Sequence, residues 1–110
     1  MSGRGPRWIT KPTFTVQITG NPSKTYGYVT IDGTDYTAEA ILKVYRHQAV
    51  NVTISYYDVT QNKNCKITMD GAIVQNGAGT YTFSLESDVI IDLERHGASY
   101  PYYTCSITTK

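Results

Sequence analysis

The sequence predicts an all-β fold, an antiparallel β-sandwich, on three observations. Apolar and polar residues alternate over short runs, as in Phe14-Thr15-Val16-Gln17-Ile18 and Val50-Asn51-Val52-Thr53-Ile54. That period of two is what a half-buried strand requires. The phrase Val29-Thr30-Ile31-Asp32-Gly33 is echoed by Ile67-Thr68-Met69-Asp70-Gly71. Each copy stops at Asp-Gly, a pair suited to a tight hairpin because Gly accepts positive φ without steric cost. Finally, ten of the 110 residues are Tyr and sixteen are Thr, and both types fit a pleated, half-buried surface.

Residues 1–12 read as an N-terminal arm, punctuated by Gly3, Gly5, Pro6 and Pro12 and without strand periodicity. The sandwich domain is then 13–110. Its first strand is 13–19, with Phe14, Val16 and Ile18 inward. Gly20-Asn21-Pro22-Ser23 turns the chain, and a second strand runs from Tyr26 to Ile31 with Val29 and Ile31 inward. Asp32-Gly33 leads into a short return, 34–37. The stretch 38–46 has Ala38, Ile41, Leu42 and Tyr45 at helical spacing, yet nine residues without a cap make a poor helix. A connecting turn and a strand near 41–46 are therefore expected.

His47-Gln48-Ala49 reads as a turn. Val50, Val52, Ile54 and Tyr56 alternate with Asn51, Thr53, Ser55 and Tyr57 in the most regular strand. A polar loop, 58–64, precedes Cys65, Ile67 and Met69, and the second Asp-Gly opens a return from Ala72. After Asn76-Gly77-Ala78-Gly79, Tyr81, Phe83 and Leu85 share one face. Val89, Ile91 and Leu93 share a face in the next strand, Arg95 to Ala98 reads as a loop, and 102–108 closes the domain with Tyr103, Cys105 and Ile107 inward. Turn signals mostly eight to twelve residues apart suit a sandwich. The repeated phrase is offset by 38 residues, whereas Arg46-His47 and Arg95-His96 are offset by 49. Two disagreeing offsets describe shared hairpin grammar, not a solenoid.

Composition narrows the function classes. One domain of 110 residues can build a core without metals or many disulfides. Ten Lys and Arg against nine Asp and Glu leave no field suited to nucleic acid or an anionic membrane. No apolar run approaches the roughly 20 residues of a membrane-spanning helix. The early residues hold two arginines and no apolar h-region, so they do not read as a secretory signal. Cys65 and Cys105 form no C-x-x-C pair. They read as two small buried hydrophobes, with a bridge as the alternative.

The phrase Tyr28 to Gly33, then Tyr36, Val44 and Val50 to Ile54, resembles the opening of small immunoglobulin-like modules of bacterial surfaces and phages. Gly79-Thr80-Tyr81-Thr82-Phe83 followed by Asp88-Val89-Ile90-Ile91 is similar to their closing hairpin. The resemblance covers roughly residues 13–94. His47-Gln48 departs from it, standing where such modules usually carry Gly. The antibody-type Cys…Trp…Cys arrangement is missing because Trp8 lies in the arm. The resemblance implies an immunoglobulin-like antiparallel sandwich of seven to nine short strands and a role in assemblies or on surfaces.

Chemistry-bearing residues are sparse. His47 and His96 lack the spacing of a metal pair, and Asp32, Asp35, Asp58 and Asp70 lack calcium-loop spacing. No Ser or Cys stands on a recognisable nucleophile turn. Asn51-Val52-Thr53 satisfies a glycosylation sequon but sits within a strand. No cofactor, metal or enzymatic activity is expected. Two features suggest partner contact. In the arm, Trp8 could fill a pocket while Arg4 and Arg7 pair with carboxylates or phosphates. Near the C-terminus, Tyr100, Tyr102 and Tyr103 flank Pro101 as a contact surface of low conformational entropy. The expectation is a structural protein of a bacteriophage virion, a capsid decoration or tail-associated subunit attached by its arm to the major capsid or tail protein. The alternative is an adhesin module at the bacterial cell surface, binding a host-surface glycan.

Overall fold

The computed structural model describes residues 13–45, 50–56, 65–77, 79–96 and 102–110. The arm, with Arg4, Arg7 and Trp8, lies outside them, as do His47, the 58–64 loop and Tyr100. Among the described residues ten strands form two sheets. In chain order they are β1 (Thr13–Gly20), β2 (Gly27–Ile31), β3 (Thr34–Tyr36), β4 (Ala40–Tyr45), β5 (Asn51–Tyr56), β6 (Lys66–Met69), β7 (Ala72–Asn76), β8 (Gly79–Ser84), β9 (Val89–His96) and β10 (Tyr102–Thr109). The larger sheet has the order β4-β1-β9-β10-β6-β7 and the smaller β3-β2-β5-β8. The fold is all-β and sandwich-like, as the alternation predicts.

The inward faces meet in one core. Val16, Ile18, Ile67, Ile91, Leu93, Cys105 and Ile107 from the larger sheet join Val29, Ile31, Val52 and Ile54 from the smaller one. Each is almost fully excluded from solvent. A buried Val, Leu or Ile side chain stabilises the fold by about 1.5–3 kcal/mol, so the alternating runs are the main source of stability. Phe14, Tyr81 and Phe83, all expected inward, pack against this core while only partly buried.

Both Asp-Gly pairs form the expected two-residue hairpins. Asp32 and Gly33 take φ values of 51° and 81°, Asp70 and Gly71 values of 50° and 90°. Positive φ at both central residues defines the type I′ turn, whose twist matches the flanking strands. Ile31 consequently pairs with Thr34, and Met69 with Ala72. Both short returns form proper ladders, which brings the count among the described residues to ten strands against the expected seven to nine.

Three further points refine the expectation. Residues 40–45 are a strand, paired antiparallel with β1. β9 continues through Arg95 and His96, expected in a loop, because Arg95 pairs with Tyr103 and His96 with Tyr102. The sheets are also not purely antiparallel, since β1 pairs with β9 and β6 with β10 in parallel. Parallel neighbours need a long crossover. Here the chain passes through the smaller sheet between them, via β8 in the case of β6 and β10.

Candidate functional site

A cleft of about 620 Å³ opens where β1 ends, lined by residues of the 20–26 turn, the 37–39 connection, Arg95 and Tyr103. Gly20 begins it. With φ at +92°, a side chain there would collide with the Leu93 carbonyl oxygen, so only glycine lets β1 turn this closely over β9. The Asn21 amide then donates to that carbonyl at 2.6 Å. The Asn21 carbonyl accepts the Tyr103 hydroxyl at 2.9 Å, and its side-chain oxygen accepts the Arg95 amide at 3.5 Å.

Ser23 and Gly27 exchange backbone hydrogen bonds of 2.7 and 2.9 Å, which returns the chain so that Tyr26 stacks on Tyr103. Their ring centroids are 5.6 Å apart and their planes 14° from parallel. The Arg95 guanidinium carbon lies 5.1 Å from the Tyr26 centroid, within cation–π range. Glu39, on the same cleft, accepts the Gly20 amide through one carboxylate oxygen at 3.1 Å. The cleft therefore brings a guanidinium, a carboxylate and a side-chain amide together in one concavity. Such a set recognises polar, hydroxyl-rich or zwitterionic groups by hydrogen bonding.

Cys65 and Cys105 are free and buried, as the simpler sequence reading has it. Burial, with the nearby Asp92 charge, pushes the Cys105 thiol up to about 12, which leaves almost no thiolate at neutral pH. Burial likewise raises the Tyr103 phenol, although Arg95 partly opposes this. His96 bonds the Thr104 hydroxyl at 2.8 Å and stacks on Tyr102 at 4.9 Å. Among the described residues no group of three or more His, Cys, Asp or Glu side chains is placed to hold a metal ion.

Of the residues expected to touch a partner, Tyr102 and Tyr103 fall within the described structure. Tyr103 forms part of the cleft wall from the core side, at 4% exposure. Tyr102 points to the opposite face of the larger sheet, beside His96. Thr13, where the arm joins, lies at the far end of β1 from Gly20, opposite Tyr45. Thr13 and Tyr103 are thus separated by about the length of an eight-residue strand, roughly 20–25 Å. Tyr26, Asn21, Glu39 and Arg95 are not evident as a site in the sequence, because the cleft joins positions more than 70 residues apart. The only local trace is the Gly-Asn-Pro-Ser cluster. No family model, curated protein or solved structure matches the chain.

Proposed function

We propose that this protein is a non-enzymatic accessory subunit of a bacteriophage virion, an immunoglobulin-like module attached to a capsid or tail through residues 1–12. The observation that carries the reading is its two-ended layout. The arm leaves β1 at Thr13, beside the exposed Tyr45, while the polar cleft sits at the opposite end. That layout would let one end anchor while the other is presented outward. The arm contributes contacts at the cost of ordering entropy and little to the fold. Removing residues 1–12 is therefore expected to abolish most co-sedimentation with empty particles and leave the melting curve nearly unchanged. Arg7→Ala and Trp8→Ala should each reproduce part of the loss, Trp8→Ala the larger part. Undiminished binding by the truncated protein would sink the proposal.

The cleft favours a second reading, a module that binds a host-surface glycan. Its Arg95, Glu39 and Asn21 are groups that hydrogen-bond sugar hydroxyls. Glycan-array binding that is lost in Arg95→Ala would support it.

A further inference from the structure

Among the described residues four strands form the edges of the two sheets, and three carry features that discourage pairing with another chain. β3 has three residues, one of them Asp35. β4 has Lys43 at its centre between the exposed Ile41 and Tyr45. β7 is bulged where its register with β6 shifts at Ile67 and Thr68. Short length, a central lysine and a bulge are the usual means by which edge strands avoid association. β8 has none of them. It is six residues long, Gly79 to Ser84, with no charge, no proline and an unbroken register against β5. Its aromatic side chains, Tyr81 and Phe83, lie stacked at 6.2 Å and only partly buried.

We infer that β8 is a self-association edge, whose partner is β8 of a second copy, paired antiparallel about a two-fold axis at Thr82. The sequence is self-complementary in that register. Thr82 faces its own copy, Tyr81 faces Phe83 of the other chain, and Thr80 faces Ser84. Each sheet face continues across the axis. On the inner face the row Val29, Ile54, Tyr81 runs on into Phe83, Val52 and Ile31 of the copy. On the outer face the hydroxyl row Thr30, Thr53, Thr82 continues through the copy's Thr82. Within one chain this row already holds a 2.9 Å bond between the Thr53 and Thr82 hydroxyls. Two sheets of four strands become one of eight. An aromatic pair and a hydroxyl pair across the junction are favourable cross-strand contacts. By contrast, the same symmetry centred on β4 would oppose Lys43 to Lys43. The contact is isologous and closes at two copies. A single added strand pair is a small interface, so association is weak and concentration-dependent.

Sedimentation velocity of the full chain, from low micromolar to near-millimolar concentration, tests the inference. The weight-average mass should climb from monomer towards dimer. Thr82 is exposed on the outer face, so Thr82→Lys should fold with an unchanged circular dichroism spectrum. By placing two lysines across the axis it should weaken association about tenfold or more. Should Thr82→Lys fail to fold, Thr82→Cys decides. It should form a disulfide-linked dimer under mild oxidation, while Thr108→Cys, on the other sheet, should not. A wild-type monomer throughout the range, undiminished association of folded Thr82→Lys, or equal cross-linking of the two cysteine variants would overturn it.

Discussion

Asp70 holds together more than its own turn. Its positive φ closes the β6–β7 hairpin, and its two carboxylate oxygens accept the backbone amide and the hydroxyl of Thr109 at 2.9 and 2.6 Å. The Asp70 amide in turn donates to the Ile107 carbonyl at 2.8 Å. These bonds tie the hairpin to the end of β10. The Thr109 hydroxyl, and then its amide, hold the Asp70 carboxyl below its ordinary value of 3.8. A carboxyl depressed in the folded state adds stability above its unfolded pKa and loses it as pH falls through the lower, folded one. The tether's contribution is therefore complete above the ordinary carboxyl value and is lost as pH falls from there through the lower, folded one. Thr109→Val keeps the amide donor and removes the hydroxyl. In an NMR titration of the Asp70 carboxyl carbon, that variant should titrate at higher pH than wild type. An unchanged titration would mean that the hydroxyl bond is absent in solution.

At the scale of elements, the strands and their facing were legible because one face of each is buried, and burial imposes a period of two on the sequence. Val16 and Ile18, Val52 and Ile54, and Val89, Ile91 and Leu93 all point where their alternation places them. The Asp-Gly turns were legible because few other pairs accept positive φ twice in succession. The 40–45 strand was harder, since Ile41 and Tyr45 stay exposed at 70% and 61% while Leu42 and Val44 turn inward. Apolar residues on both faces blur the period. The end of β9 leaves no local trace, because Arg95 and His96 gain their strand conformation by pairing with Tyr103 and Tyr102. The cleft was illegible for the same reason.

Facing within β5 makes a sharp test of this grammar. Val52 is fully buried between Ile31 and Phe83, whereas its neighbour Thr53 lies on the outer face. Val52→Asp places an unpaired charge in the core, a cost of several kcal/mol against a total stability of about 5–15 kcal/mol. It should not fold cooperatively. Thr53→Asp, one residue away on the other face, should melt cooperatively within a few degrees of wild type. Two similar melting curves would show that the strand's facing is wrong.

At the scale of the whole molecule, the C-terminal strand carries a large share of the fold. β10 lies inside the larger sheet, antiparallel to β9 on one side and parallel to β6 on the other. It delivers Tyr103, Cys105 and Ile107 to the core, bonds the first turn through the Tyr103 hydroxyl and bonds the second hairpin through Thr109. Until it arrives, β6 and β7 have no link to the rest of their sheet. Its ladders also close long loops, which makes their pairing a late and cooperative event in folding. Deleting residues 102–110 should therefore leave a chain without a cooperative unfolding transition, prone to associate through the bared edges of β6 and β9. Deleting residues 1–12, a longer segment, should barely move the midpoint, because β1 keeps both its partners, β4 and β9, from Thr13 onward. Circular dichroism melts of the two truncated proteins compare them directly. A cooperative melt for the C-terminal truncation would show that β9 alone can seal the larger sheet. A collapse of the N-terminal truncation would instead place Trp8 and Ile9 among the residues that stabilise the fold.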